Sequence, residues 1–308
     1  SEGISTLPWF ASLLKNWQPA GAPTVFTSDG VIGSLRLGIR NGYVNFYCGG
    51  QSVALVRFGK RELSAKIHVK YLACNQAKES KASLGQSHVT ISKPDSMLPE
   101  YGSVEEWMAN TRGYQGKEKK FVERVVATNS NIIDLEMALP SFLGKDDKKV
   151  APRMDIVALE PNDTGWRIVF WEAKLVTSPE ARAAGNIDPK VIVQCKNYHH
   201  WLNTGLNKEA VIKAYRETCR LLANFHEDAE KAGIAMAPLG EGIRAVAAKR
   251  DVSLSVDDRV RLLVDNITAP NEVFRKNKHL DKLLNREVSV QMVDREDDLQ
   301  LKQGRNTG

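Results

Sequence analysis

The sequence is poor in the features that mark membrane, zinc-binding and nucleotide-loop proteins. No apolar run approaches the length of a membrane-spanning helix, and the first residues show no basic-then-apolar signal pattern. Cys48, Cys74, Cys195 and Cys219 are scattered without a C-x2-C pair, which argues against zinc or iron–sulfur ligation. There is no glycine-rich phosphate loop and no internal repeat, and the Gly-Glu-Gly stretch at 240–242 is interpreted as a turn. We therefore expect a cytoplasmic protein with reduced thiols and no membrane association.

The chain has a globular composition with an uneven charge. Hydrophobic residues make up 42% and charged residues 26% of its 308 residues, which allows one large domain or two ordinary ones. The net charge is +6; residues 1–75 hold 8 Lys/Arg against 3 Asp/Glu, whereas residues 104–308 hold 32 against 31. Nearly all of the excess positive charge thus lies in the first quarter of the chain.

Alternating apolar and polar residues dominate this first quarter. The alternating segments are 34–40, 43–48, 51–58 and 62–71, and a short helix at 7–17 precedes them. Asn41-Gly42 is a strong signal for a two-residue hairpin turn, and Gly49-Gly50 indicates a second turn. The pattern predicts an antiparallel β domain over residues 1–75, with one buried and one polar face.

The polar face of this sheet is a candidate surface for nucleic acid. Its basic side chains are Arg36, Arg40, Lys66, His68 and Lys70. Cations on such a face can bind phosphates, and Tyr43 or Tyr47 can stack on bases. The alternatives are a face that is merely solvated and a surface that binds a protein partner.

The rest of the chain divides into a linker, a second domain and a tail. Residues 76–103 lose periodicity and gather Ser, Lys, Gln and Pro, which predicts a linker. Ser103 and Glu106 have capping-box spacing and indicate the start of a helix. We predict a mixed α/β (α+β) domain over residues 104–294 and a polar, frayed tail over residues 295–308.

The most informative stretch of the second domain is 153–174. Its two halves are rich in β-branched and aromatic residues and are separated by a polar cluster at 162–165, which predicts a β-hairpin. Because side chains alternate along a strand, Glu172 and Lys174 point the same way and Ala173 points the other way. Asp155, near the start of the first strand, then lies beside Glu172 and Lys174 at the end of the second.

This arrangement of charges has a chemical use. Two carboxylates on neighbouring strands suit a hard divalent cation, because Mg²⁺ favours oxygen ligands and retains several waters. A lysine beside them can orient a water or stabilise negative charge at a phosphate. The flanking strands are apolar, and buried charges need partners or a metal. The alternative is a hairpin that ends in an ordinary salt bridge.

A helix precedes the hairpin at 116–128. Its apolar residues define one face, and Glu118 projects onto that face, where it can serve as a further ligand or simply reach solvent. Glu123 lies on the other side of the helix and is expected to be solvated. In the strand at 132–139 that follows, Glu136 is expected to face solvent. An exposed loop near the substrate is expected at 145–149.

Another helix follows the hairpin. Asp188 as N-cap and Pro189 at the first helical position are a good start signal. Gln194 and Tyr198 then lie four residues apart on an otherwise apolar stripe, which is unexpected for a glutamine unless it meets something polar. Further along we predict a long helix at 208–231, a strand at 259–264, a basic helix at 271–285 and a closing strand at 287–293.

Together these residues resemble the PD-(D/E)xK phosphodiesterase superfamily. Asp155 and the Glu172-Ala173-Lys174 triplet match its central motif, and Gln194 with Tyr198 is similar to the Gln-x-x-x-Tyr motif of the RecB-like and Cas4-like nucleases. The match covers residues 118–202, under a third of the chain. Met154 stands where the motif has proline, and the four-cysteine pattern of Cas4-like members is missing.

The resemblance implies a restriction-endonuclease-like fold, with a mixed central sheet flanked by helices, and a role for each matching residue. Asp155 and Glu172 would bind Mg²⁺ or Mn²⁺, with Glu118 and the Ala173 carbonyl as further ligands. Lys174 would assist the attacking water. Gln194 and Tyr198 would support the site or the substrate strand.

The function expected from the sequence is therefore that of a Mg²⁺-dependent deoxyribonuclease, with DNA as partner and RNA not excluded. By the same resemblance its products would carry a 5′-phosphate and a 3′-hydroxyl. The alternative is a nuclease-like fold that binds nucleic acid or a protein partner without cleaving it.

Overall fold

The computed structural model describes residues 7–27, 30–59, 62–73, 79, 81, 85–92, 99–143, 149–150, 153–182, 187–248, 251–286 and 288–303. These residues form two main β-sheets, one antiparallel and one mixed, with helices packed against both. The mixture of α and β elements was predicted from the sequence. None of the helices in this part of the chain combines the length and the apolar composition that a membrane crossing requires.

The first sheet is antiparallel, and its strands follow one another in sequence order. A short hairpin, β1 (Val25–Thr27) and β2 (Gly30–Ile32), precedes it. The strands of the first sheet are β3 (Arg36–Arg40), β4 (Tyr43–Cys48), β5 (Gln51–Phe58), β6 (Leu63–His68) and β7 (His88–Ile91). The first four match the predicted alternation. The fifth lies inside the predicted linker and buries Val89 and Ile91, so the prediction of a plain linker over 76–103 is wrong there.

Two helices cover the apolar face of this sheet. They are α1 (Pro8–Asn16) and α2 (Val104–Asn110). Phe10 packs edge-on against Phe46 of β4, with ring centroids 6.4 Å apart, and Trp107 is fully buried. The predicted capping box is confirmed, since the Ser103 hydroxyl and the Glu106 carboxylate each accept the other residue's backbone N–H. Large aromatic side chains therefore supply much of the burial on this side.

The second sheet is mixed, and the predicted hairpin lies at its centre. Its strands are β8 (Ile132–Ala138), β11 (Arg153–Asn162), β12 (Gly165–Leu175), β13 (Ser253–Val256), β14 (Arg261–Asp265) and β15 (Val290–Val293), while β9 (Phe142–Leu143) and β10 (Lys149–Val150) form a separate small hairpin. The spatial order is β15-β14-β12-β11-β8, and β13 pairs with β12. The strands β8, β11 and β12 are antiparallel, whereas β13, β14 and β15 run parallel to their neighbours.

Helices cover both faces of the second sheet. They are α3 (Lys117–Thr128), α4 (Lys190–Leu202), α5 (Asn207–Lys231), α6 (Glu241–Ala248), α7 (Val273–Lys276) and α8 (His279–Leu284). Phe121 of α3 shares a buried cluster with Trp171 and Ala173 of β12. The alternate residue of β12, Phe170, belongs to a second cluster with Tyr198 of α4. Glu172 and Lys174 therefore project toward the side of α4, because they share the parity of Phe170.

The two sheets are joined by a buried ion pair between Arg36 of β3 and Glu123 of α3. Both residues are 2% exposed, and the Arg36 Nε donates to Glu123 Oε1 over 2.9 Å. Further N–H groups of Arg36 donate to the carbonyls of Pro19 and Ala22 and to the hydroxyl of Thr24. Burial raises the pKa of Glu123, and the Arg36 charge opposes that rise. The expectations that Arg36 contacts phosphates and that Glu123 is solvated are both wrong, because the two residues neutralise each other.

A second polar link ties β3 to β8 and α5. Arg40 donates to Asp134 over 2.5 Å and to the Leu135 carbonyl over 2.6 Å. Asp134 also accepts a hydrogen bond from the Tyr215 hydroxyl at 3.0 Å. Arg40 is thus engaged inside the protein, which corrects its assignment to a phosphate-binding face. Tyr47, a candidate for base stacking, is buried.

The remaining differences from the sequence-based predictions lie in the last quarter. The predicted turn at 240–242 begins α6, and the predicted basic helix is divided into α7 and α8 at Lys278, whose φ is +56°. The predicted frayed tail packs against the second sheet, with Leu299 4% exposed and its carbonyl bonded to Asn129. Residues 304–308 and most of the predicted loop at 145–149 lie outside the described residues.

Replacing Arg36 by Met tests the link between the sheets. The change leaves the Glu123 carboxylate buried without its ion partner, so we expect the free energy of unfolding to fall by about 3–5 kcal/mol. Arg57→Met is the matched control, because Arg57 lies on β5 of the same sheet but is exposed, and its loss should be below about 1 kcal/mol. Urea denaturation measures both. Equal losses in the two variants would contradict the buried link.

Candidate active site

The register of the β11–β12 hairpin sets Asp155 beside the end of β12. Ile156 pairs with Trp171, so the next position along aligns Asp155 with Glu172. Asp155 is 7% exposed, and its carboxylate accepts a hydrogen bond from the backbone N–H of Ala173 over 2.9 Å. This hydrogen bond fixes the carboxylate against β12. The position of Asp155 beside the end of the second strand was predicted from the sequence.

Glu172 and Lys174 form a buried ion pair next to Asp155. Glu172 is 2% and Lys174 is 5% exposed, and the Lys174 Nζ lies 2.8 Å from Glu172 Oε1. Burial, and then the negative charge of Asp155, raise the pKa of Glu172 above its ordinary value. The second oxygen of Glu172, Oε2, is buried and has no hydrogen-bond partner among the described residues. The charges of Glu172 and Lys174 therefore neutralise each other only in part.

Two further carboxylates approach the same lysine. Glu118, in the first turn of α3, lies 3.7 Å from the Lys174 Nζ, and Glu180 lies 3.4 Å from it. Burial opposes the charge of Lys174, but the surrounding carboxylates, Glu172 first, outweigh it and raise the pKa of the amine. The predicted approach of Glu118 to the site is confirmed. Glu180 was missed, because a single carboxylate in the short 3-10 helix Pro179–Ala181 has no pattern that distinguishes it.

The helix α4 carries two buried polar atoms that have no hydrogen-bond partner in the part of the chain that the structure describes. They are the hydroxyl of Tyr198, a fully buried residue, and the Oε1 of Gln194, one turn earlier. Burial, followed by the charges of Glu172 and Asp155, raises the pKa of Tyr198. Buried polar atoms of this kind are costly, and each calls for an explanation. Tyr198 of the predicted pair therefore lies near Glu172 and Asp155, and Gln194 lies one turn before it on the same helix.

The start of α4 differs from the prediction. The helix begins at Lys190, and Pro189 occupies the N-cap position with no side-chain hydrogen bond. Asp188 does not cap the helix, since its carboxylate accepts hydrogen bonds from Arg286 and Lys196. The Asp188 carboxylate is thus bonded to basic side chains on other parts of the chain instead of the first turn of α4.

A second lysine, Lys119, lies beside Asp155 and was not predicted. Its Nζ forms an ion pair with Glu136 of β8 and is 3.8 Å from Asp155 Oδ1. Glu136 also accepts from Arg153 over 3.2 Å, and its side chain is 9% exposed, so the expectation that it faces solvent is wrong. The pairing of Ile156 with Leu135 places Glu136 next to Asp155. Glu136 has a φ of +52°, a strained value that simple strand alternation does not anticipate.

The turn between β4 and β5 packs against Lys119. A Cβ on Gly50 would lie 2.7 Å from Cδ and 3.0 Å from Cβ of Lys119, and the φ of Gly50 is +72°. Only glycine accommodates both the left-handed backbone and the close approach. The first sheet thus forms part of the wall of the site.

The donor set suits a cation that keeps much of its own water. Among the described residues, no group of three or more His, Cys, Asp or Glu side chains is arranged to hold a metal ion. Mg²⁺ sites, however, commonly use one or two carboxylates together with waters. Asp155 and Glu172, with the unpartnered Oε2, fit that description. The Ala173 carbonyl and Glu118 remain predicted ligands.

Not all predicted binding residues belong to this cluster. The residues brought together are Glu118, Asp155, Glu172, Lys174 and Tyr198. Lys66 and Lys70 lie on or just after β6 at the outer part of the first sheet.

Comparisons with protein-family models, with curated proteins and with solved structures found no match.

Substituting Gly50 by Ala tests the contact with Lys119. The strained φ alone should cost about 1–2 kcal/mol, and the collision should add about 1–3 kcal/mol to the loss in unfolding free energy. Gly42→Ala is the control, because Gly42 has a similar φ of +81° but nothing within 4 Å of the added Cβ. Urea denaturation of both variants gives the difference. Identical losses would show that the turn does not press on Lys119.

Proposed function

We propose that the protein is a metal-dependent nuclease of the PD-(D/E)xK type that hydrolyses phosphodiester bonds in DNA. The observation that carries the proposal is the buried meeting of Asp155, Glu172 and Lys174 at neighbouring strands. Buried, mutually perturbed charges are costly and cluster at functional sites. RNA is the alternative substrate for the same chemistry.

The proposal gives the second domain a restriction-endonuclease-like fold. The mixed strand order β15-β14-β12-β11-β8 supports it, as do helices on both faces of the sheet. The hairpin β11–β12 lies inside the sheet rather than at its edge, so strands on both sides hold its register. Rigid strands of this kind are suited to holding reactive groups in fixed positions.

Asp155 and Glu172 would hold Mg²⁺ or Mn²⁺, with the Ala173 carbonyl and Glu118 as further donors. The unpartnered Oε2 of Glu172 supports this assignment, because a hard cation is a natural partner for a buried carboxylate oxygen. The cation, when bound, would supply Lewis-acid stabilisation of the charge that develops on the phosphate. The backbone N–H of Ala173 would keep the Asp155 carboxylate aimed at it.

Lys174 acts in this proposal through its charge. The carboxylates around it raise its pKa, so at neutral pH the amine is protonated and has no lone pair with which to act as a base. A protonated amine can donate a hydrogen bond that orients the water attacking phosphorus in line, or stabilise the negative charge of the transition state. Tyr198, held neutral by its raised pKa, would donate a hydrogen bond, and Gln194 would help to position the same water or strand.

A binding protein without catalysis is the second candidate. It is favoured by the two lysines, since Lys174 and Lys119 already compensate the carboxylates in part without any metal. A site without metal affinity is not stabilised by Mn²⁺, so an unchanged thermal unfolding temperature with Mn²⁺ would favour this candidate. For the location we propose the cytoplasm, which is supported by the free thiols of Cys48, Cys195 and Cys219.

The central test is hydrolysis of DNA with Mg²⁺ or Mn²⁺. Lys174→Met and Asp155→Asn should each lower the cleavage rate by about 100-fold or more, because each removes charge at the reacting phosphate. Lys208→Met, which removes an ion-paired lysine on α5, is the matched control and should retain full activity. Circular dichroism confirms that the variants are folded. Full activity in both site variants would rule out this site.

Replacing Tyr198 by Phe separates function from stability. The hydroxyl has no hydrogen-bond partner among the residues that the structure describes, so its removal should leave the unfolding free energy unchanged within about 1 kcal/mol or raise it. If the hydroxyl acts on water or substrate, the cleavage rate falls by about 10-fold or more. Thermal unfolding and rate measurements on one preparation give both values. A stable variant with an unchanged rate would remove Tyr198 from the mechanism.

A further inference from the structure

The outer part of the first sheet carries a strip of basic and aromatic side chains that the proposed chemistry does not use. The strip consists of Lys66, His68, Lys70, His88 and Tyr114. The register pairs Lys66 with Thr90 and His68 with His88 across β6 and β7, and the two imidazole centroids are 4.9 Å apart. Lys66 and His88 are exposed. The strip is therefore a continuous patch at the open end of the polar face.

Lys70 links this patch to Tyr114. Its Nζ lies 4.9 Å from the ring centroid of Tyr71 and 4.7 Å from that of Tyr114. Tyr71 is buried, whereas Tyr114 is 48% exposed, and the two rings meet edge-on. The Tyr71 hydroxyl donates to Gln51. Tyr114 thus presents a ring to solvent, fixed from behind by Tyr71 and Lys70.

The charge of the strip differs from that of the other half of the same face. Arg36 and Arg40 on β3 are neutralised by Glu123 and Asp134. No carboxylate among the residues that the structure describes forms an ion pair with Lys66 or Lys70. Burial, then the neighbouring lysine charges, lower the pKa of His68 and of His88, so both rings are neutral at pH 7. The strip therefore offers lysine cations for phosphates and neutral rings for bases.

A chain of contacts connects the strip to the candidate active site. The Gln51 side chain donates to the Tyr114 carbonyl over 3.0 Å, and Gly50, its neighbour, packs on Lys119. The Lys119 Nζ is 3.8 Å from Asp155. Tyr114 itself is four residues before Glu118, just ahead of α3. The strip is therefore joined to the carboxylates through Gln51, Gly50 and Lys119.

We propose that this strip binds single-stranded nucleic acid and guides it to the active site. The inference rests on the proposed nuclease function for its direction, but binding to the strip does not require cleavage. Lysine cations track the phosphates, and an exposed tyrosine ring stacks on a base, which is the recurring way in which proteins hold single strands. Paired bases in a duplex are already stacked on each other and present no free face to Tyr114.

The test is fluorescence anisotropy with a labelled oligothymidine and with a blunt duplex of equal length, in EDTA so that metal-dependent cleavage cannot occur. The single strand should bind more tightly than the duplex. Tyr114→Ala should weaken single-strand binding about tenfold or more, because it removes a stacked base contact. Lys70→Met should weaken it and reduce the slope of log affinity against log salt by about 0.7. Lys276→Met, an exposed lysine on α7 that is paired with Glu272, is the control and should bind normally.

These measurements test the strip proposal and the nuclease proposal independently of each other. The strip is overturned if the duplex binds as tightly as the single strand, or if folded Tyr114→Ala and Lys70→Met proteins bind like the parent. Normal cleavage with unaffected binding in these variants would remove the strip and leave the nuclease proposal standing. Tight, Tyr114-dependent binding by a protein that never cleaves would do the reverse.

Discussion

The buried pair of Glu172 and Lys174 is the constraint on which the second domain depends. Each charge would be costly alone, and each is held by the other at 2.8 Å. Both residues lie on one strand, β12, and the register of β11 sets Asp155 beside them. Because replacing such a pair by apolar residues is often neutral or stabilising, the pair is weak evidence for a contribution to stability.

The same electrostatic logic joins the two sheets. Arg36 and Arg40 of β3 are paired with Glu123 and Asp134, so the first sheet is attached to the second through matched charges as well as apolar packing. This attachment holds the β4–β5 turn against Lys119, and Lys119 against Asp155. The N-terminal sheet is consequently in contact with the elements that carry the site.

The sequence predicted elements whose signals are local and missed those that depend on distant partners. Strand alternation and the Asn41-Gly42 turn gave the first sheet, and the spacing of Asp155, Glu172 and Lys174 gave the cluster. Glu123 looked solvated because its partner, Arg36, is 87 residues away in the chain. Glu136 was expected to face solvent because strand alternation does not indicate its φ of +52° or its ion pair with Lys119 of α3.

The charges around Lys174 and Lys119 leave the site with more carboxylates than cations. The linked carboxylates are Glu118, Glu136, Asp155, Glu172 and Glu180, and the cations that contact them are Lys119, Arg153 and Lys174. Among the described residues the cluster therefore has two negative charges in excess when all its carboxyls are ionised. Burial first, and then the negative charge of Asp155, raise the pKa of Glu172. In the proposed function, a cation of charge +2 would balance the cluster, whereas a further lysine would supply only half of that charge.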